Sequence, residues 1–201
     1  EATGEPVKEF VPTTIDGELV GYKTRVFPKD FSQPIGKVGK ECDLIGQFRF
    51  KNHAHTCLIV GGEIKQRAAY QMLVDNQKAR GKDEYETVAV VSPTTGEPSA
   101  WKQCQAQYTW LSQFKKVIVA MDNDEAGEAA NELICKILPK GKAFVMKMSY
   151  NDADEYIKHG DEKKFINDFY KARQWTPSEI VSSDRIYQEI VRRASVDKLP
   201  F

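Results

Sequence analysis

This sequence has no apolar run approaching the roughly 20 residues of a membrane-spanning helix, so a helical membrane span is excluded. It has no net charge, 29 basic residues balancing 29 acidic ones. That excludes a protein that coats nucleic acid by overall charge. Cysteine is scarce: Cys42, Cys57, Cys104 and Cys135 lie far apart and form no C-x-x-C pair. Reduced thiols used as small core residues fit better than zinc or disulfides, and no zinc is expected. Of the three histidines, His53 and His55 flank Ala54 just before an apolar run and read as a polar turn, not as ligands; His159 stands alone. Repeats and low-complexity tracts are missing. Residues 1–6 have neither the basic start nor the apolar core of a signal peptide, and read as a cut inside a longer protein.

What is present is a strand–helix rhythm. Residues 1–15 read as a polar, Pro-containing linker. Residues 16–55 read as a small β-rich subdomain, with a strand from Leu19 to Phe27. Buried strands are predicted at 56–60, 87–91, 117–121 and 143–148. Helices are predicted over about 63–77, 99–114, 125–138, 155–159 and 161–173. Alternation of this kind implies a four-stranded parallel sheet with right-handed crossovers, an α/β domain over 56–174. Residues 175–201 read as a linker and an amphipathic helix, 184–194, whose apolar stripe needs a partner. Trp101, Trp110 and Trp175 are candidates for stacking bases, but the two on a predicted helix, Trp101 and Trp110, read as core.

Val117-Ile118-Val119-Ala120-Met121 runs straight into Asp122-Asn123-Asp124-Glu125-Ala126-Gly127. Two carboxylates at the carboxyl end of a buried strand suit a hard divalent cation, Mg²⁺ above all. Small residues at 126, 127, 129 and 130 let the following helix approach the sheet. Parallel strands share one edge, so Gly61-Gly62-Glu63, Asp122/Asp124 and Asp152 are expected to gather there. Asp152 and Asp154 also suit a helix N-cap. Between Leu19 and Lys40, Lys23, Arg25, Lys29, Lys37 and Lys40 face a single acid, Asp30. This stretch is either a solvated charged face or a phosphate-binding strip.

These segments together resemble the Toprim domain of primases, topoisomerases and related nucleases, and more closely the phage-type, Twinkle-like primase–helicases. The resemblance runs through Lys23-Thr24-Arg25, Asp43-Leu44-Ile45-Gly46, Asp122 to Gly127, Asp152-Ala153-Asp154-Glu155 and Trp175-Thr176-Pro177. It implies a Rossmann-like Toprim fold and a metal-dependent nucleotidyltransferase that joins ribonucleoside triphosphates on single-stranded DNA in replication. By the same resemblance, Glu63, Asp122 and Asp124 are catalytic and, with Asp152, hold Mg²⁺. Lys23, Arg25, Lys29, Lys37, Lys40 and Lys65 take nucleic-acid or nucleotide phosphates. The implied partners are a helicase domain of the same protein and further copies in a homo-oligomeric ring. The implied location is a phage-infected cytoplasm, or a mitochondrion for a Twinkle-like protein.

One departure stands out. The family's E-G-E-x-D reads G-G-E-x-K in this chain, with Gly61 and Lys65 at the first and last acid positions. Fewer anionic ligands mean weaker metal binding, so catalysis is expected to be weakened or lost. The alternative is a non-catalytic DNA-binding and assembly domain of a ring helicase. A D-x-D phosphotransfer hydrolase fits less well, because Ala126 stands where that family has Thr or Val.

Overall fold

Asp16-Gly17 sets the first structural event. Both residues have positive φ (51° and 84°), the geometry that a two-residue hairpin turn demands and that Asp-Gly supplies. The turn joins β1 (Val7–Ile15) to β2 (Glu18–Phe27) as an antiparallel hairpin. Short strands β3 (Asp30–Phe31) and β4 (Ile35–Gly36) also pair with β2. The structure is a computed structural model that describes residues 7–27, 30, 31, 33–50, 55–82 and 88–177. Lys29, His53 and the helix expected over 184–194 lie outside them. The linker expected over 1–15 is corrected from residue 7 onward. Its polar, Pro-containing sequence read as a linker, but Val11 and Thr13 alternate inward and are buried.

The second sheet has the order β6 (Ala89–Val91), β5 (Thr56–Val60), β7 (Lys116–Ala120), β8 (Ala143–Val145), β9 (Arg173–Gln174). The first four are parallel, as expected; β9 adds a short antiparallel edge. The two central strands are buried nearly throughout and read as continuous apolar runs for that reason. Helices α1 (Glu63–Ala79), α5 (Ala153–His159) and α6 (Glu162–Tyr170) cover one face through Met72, Leu73, Tyr156 and Phe165. Helices α2 (Glu97–Ala106), α3 (Tyr108–Ser112) and α4 (Glu125–Ile137) cover the other through Ala100, Cys104, Leu111 and Ile134. The single helix expected over 99–114 is broken at Gln107. All four cysteines are buried and free. Burial pushes the Cys104 and Cys135 thiols up to about 12, so they are protonated and unreactive at neutral pH. The three tryptophans pack against the α2–α4 core.

The two sheets are joined by a buried polar junction. The Asp43 carboxylate accepts from Thr14 Oγ1 at 2.7 Å, Asp16 N at 3.2 Å and Gly17 N at 2.9 Å, clamping the hairpin turn. Gln103 of α2 donates to the Cys42 and Asp43 carbonyls, both at 3.0 Å, and accepts from Thr94 N at 2.8 Å. Ile45 and Ser92 exchange backbone bonds, and Leu44 and Phe50 enter the α/β core. The connecting segment is therefore part of the larger domain's packing. Gln103→Leu would leave the Asp43 carbonyl and the Thr94 N–H unpaired in a dry site, while the Cys42 carbonyl keeps its bond from Gln107 Nε2 at 3.3 Å. A loss of roughly 3 kcal/mol is expected, seen as a Tm lower by about 10 °C in thermal denaturation.

Candidate metal and phosphate site

Register fixes the location of the site. Val60 pairs with Ala120, Ile59 with Val91 and Val119 with Val145, so the four parallel strands end on one rim. The order β6-β5-β7 reverses direction between β5 and β7. That is the switch point where open α/β sheets bind ligands. Gly61-Gly62-Glu63 leaves β5 there and Asp122-Asn123-Asp124 leaves β7. Asn123 N donates to Asn151 O at 2.8 Å, tying the loop that carries Asp152 to the same rim. Position 61, Asp122 and Asp152 converge as expected: a Cβ built on Gly61 would lie 3.1 Å from Asp122 Oδ1, and Lys65 reaches both aspartates.

The acids divide into three groups. Glu63, almost fully buried, turns away toward the hairpin. It pairs with Lys23 Nζ at 2.8 Å and with Arg25 Nη1 at 3.6 Å. Burial alone would raise its carboxyl; the Lys23 bond and charge, with Arg25, outweigh that and hold it below the usual range. Glu63 is therefore a docking residue for β2, and its expected place among the metal ligands is corrected. The physical reason is local: as the first residue of α1, it meets two cations of the adjacent strand before it can reach the rim.

Asp122 and Asp152 form the second group, around Lys65. The Lys65 ammonium donates to both Asp122 oxygens and stands 3.6 Å from Asp152 Oδ2. Burial would lower the Lys65 pKa, but the bond to Asp122 and the charges of Asp122 and Asp152 raise it. Lys65 was expected to face phosphates; it faces carboxylates instead. Asp152 also caps α5, accepting from Glu155 N at 3.2 Å, and its carboxyl is pushed up to about 6 by burial first and Asp154 second.

The third group includes a residue that sequence reasoning missed. Glu97, the first residue of α2, enters the rim from the loop after β6, and oxygens of Glu97, Asp122 and Asp124 lie within 4.8 Å of one another. Asp122 N donates to Glu97 Oε1 at 3.4 Å, and burial together with the Asp122 charge raises the Glu97 carboxyl. Asp124 caps α4 through Gly127 N at 2.8 Å. The available signal was position, an acid just past the second parallel strand, but residues 92–98 read as a polar turn. Three carboxylates gathered at one strand rim offer the hard oxygen donors that Mg²⁺ takes.

The basic strip divides as well. Lys23 and Arg25 flank the rim, bound to Glu63 yet 30% exposed. Lys37 and Lys40 are exposed on the segment after β4, outside the described rim contacts.

Comparison with known proteins agrees with this fold. Residues 77–157 match a family described as Toprim-like. The span begins inside α1, so the turn bearing Gly61 and the first turn of α1 bearing Lys65 precede it. Over 114 residues, 55% of this chain and 20% of the relative, the chain is 32% identical to a DNA helicase/primase of Enterobacteria phage T3. It thus spans about a fifth of that relative's length. The crystal structure of the primase fragment of the bacteriophage T7 primase–helicase superposes with a TM-score of 0.68 at 25% identity, over 81% of this chain and 62% of that one. T7 primase domains in a complex with the lagging-strand DNA polymerase, an RNA/DNA hybrid and dTTP give a TM-score of 0.71 at 25% identity, over 84% and 79%. The Aquifex aeolicus primase, at 17% identity and a TM-score of 0.55 over 91% and 44%, shares the fold. Residues 77–157 are thus Toprim-like, in a chain homologous to the phage T3 DNA helicase/primase and to the primase fragment of the phage T7 primase–helicase.

Proposed function

We propose that this chain is the RNA-polymerase region of a phage-type primase–helicase. In this reading it binds single-stranded DNA beside β2 and Mg²⁺ at Asp122 and Asp124, and its primer synthesis is weakened or lost. The observation that carries the reading is the Lys65 ammonium on both oxygens of Asp122. A positive group fixed on a metal-binding aspartate competes with any divalent ion for it. Gly61, at the neighbouring strand end, offers no carboxylate.

When bound, Mg²⁺ supplies neutralisation of triphosphate charge and acidification of the attacking 3′ hydroxyl. The residues of this chain do the rest. Asp122 and Asp124 present oxygens at the rim, held by the backbone of a buried strand and by the α4 cap. Lys23 and Arg25 give the rim a positive wall on which a phosphodiester backbone can lie. Glu63 fixes the direction of that wall. The bidentate Lys65 contact also favours the second reading, a non-catalytic DNA-binding and assembly domain next to a ring helicase.

Primer synthesis by the full-length protein on a single-stranded template separates the two. Weak or undetectable synthesis is expected; robust synthesis that disappears with Asp122→Ala would overturn the reading of lost catalysis. For DNA binding, Lys23→Ala/Arg25→Ala is expected to weaken affinity for an unstructured oligonucleotide roughly tenfold at about 0.1 M salt. It should also flatten the salt dependence by about 1.4 in log–log slope. An unchanged slope would remove β2 from the DNA path.

A further inference from the structure

We infer that Glu97 supplies the acid that position 61 lacks and that Lys65 takes the place of a second metal ion, so that the rim is built for one divalent ion beside one covalently attached cation. This rests on the Mg²⁺ reading above and extends it to residues that the family's acid pattern does not include.

The geometry at Gly61 carries the first half. A Cβ there would point at Asp122 Oδ1, 3.1 Å away, and at Glu97 Oε1, 3.3 Å away. The Glu97 carboxylate thus lies in the space that a side chain from the end of β5 would enter. It comes from the opposite direction, because β6 lies on the far side of β5 from β7. Its backbone is held firmly: α2 buries Ala100, Gln103 and Cys104, and Gln103 bonds the junction to the hairpin. Where the end of β5 carries no carboxylate, the start of α2 brings one in beside Asp122 and Asp124.

The distribution of counter-charge carries the second half. Among the described residues, the ion pairs at this rim go to Glu63, Asp122 and Asp152, and none goes to Glu97 or Asp124. Lys65 bonds Asp122 and stands beside Asp152, and it acts on Glu97 through its charge alone. Asp122 is shared by both groups, as a carboxylate is when it bridges two cations. A single ammonium cannot coordinate a triphosphate, but it offsets one of the two negative charges of the Asp122–Asp152 pair and occupies the space between them, which disfavours a second ion.

Binding of Mn²⁺ to the full chain, counted by electron paramagnetic resonance of the free ion, tests this without reference to activity. The parent is expected to bind one ion. Glu97→Gln should weaken it roughly tenfold, and Glu97→Asp, which keeps the charge, should stay within about threefold of the parent. Gly61→Glu placed on Glu97→Gln should restore binding, since the new carboxylate enters the same space. Lys65→Met should tighten binding and admit a second ion. Glu132→Gln, on the exposed side of α4, is the control and should match the parent. Thermal denaturation without metal confirms that each variant is folded. Parent-like affinity in folded Glu97→Gln overturns the Glu97 assignment, and a single, unchanged site in Lys65→Met overturns the Lys65 assignment. If Asp122→Asn abolishes binding while Glu97→Gln does not, only this inference fails. If the parent binds no Mn²⁺, or Asp122→Asn has no effect, the Mg²⁺ reading itself falls.

Discussion

Gly61→Glu combined with Lys65→Asp is expected to raise divalent-metal affinity about a hundredfold and to bring primer synthesis up from its parental level. The expectation follows from charge. The pair of substitutions makes the rim more negative by three units, one at position 61 and two at position 65. A unit charge about 5 Å from a divalent ion is worth about 1.7 kcal/mol even at the dielectric constant of water, more than tenfold in affinity for each unit. The gain is smaller than the simple sum for two reasons. The new side chain at 61 must settle beside Asp122 and Glu97, which a Cβ there approaches to 3.1 and 3.3 Å. The added acids also repel Asp122 and Asp152 once the ammonium has gone. Isothermal titration with Mg²⁺ measures the first effect and primer synthesis on single-stranded DNA the second. Tighter metal binding without synthesis would locate the lost function elsewhere than in the metal site. An unchanged affinity would mean that Lys65 leaves Asp122 readily and does not hold a metal ion off it.

The layer that positions this site was largely legible in the sequence, because a parallel strand buried on both faces reads as an unbroken apolar run. Thr56–Val60 and Lys116–Ala120 match expectation to within one residue, and the gathering of their carboxyl ends follows from topology alone. Direction at the rim was much less legible. Sequence places Glu63 two residues past the turn's first glycine but cannot show that Lys23 and Arg25 wait on the same side, since that depends on how the hairpin docks. Glu97 escaped for the converse reason. Its approach depends on β6 lying beside β5, whereas the D-x-D motif lies on β7. The hairpin itself was readable from Asp16-Gly17, a turn signal that the polar residues before it obscured. The close approach expected of the small residues on α4 holds for Gly127 and Ala130, which are buried, and fails for Ala126 and Ala129, which face solvent.

Gly127→Ala is expected to destabilise the protein by roughly 3 kcal/mol, lowering Tm by about 10 °C, and to weaken metal binding with it. The sign matters, because helix propensity alone predicts the reverse: alanine in a helix is favoured over glycine by about 1 kcal/mol. Gly127 is in the first turn of α4 without a positive φ, so its backbone does not require glycine. Its surroundings do. A Cβ at 127 would come within 1.9 Å of the Asp122 carbonyl oxygen and 2.7 Å of both its carbonyl carbon and its amide nitrogen. These are backbone atoms at the end of a buried central strand, and they cannot swing aside as a side-chain tip can. Helix α4 must therefore retreat from the rim. The retreat strains the Gly127 N bond to Asp124 and the packing of Ala130 and Ile134, and it separates Asp124 from Asp122. Stability and metal affinity should fall together in this variant, whereas Ala129→Ser, exposed on the same helix, should change neither. A higher Tm in Gly127→Ala would mean that α4 is free to shift, and the rigid spacing of the two aspartates, on which the metal site depends, would be lost with it.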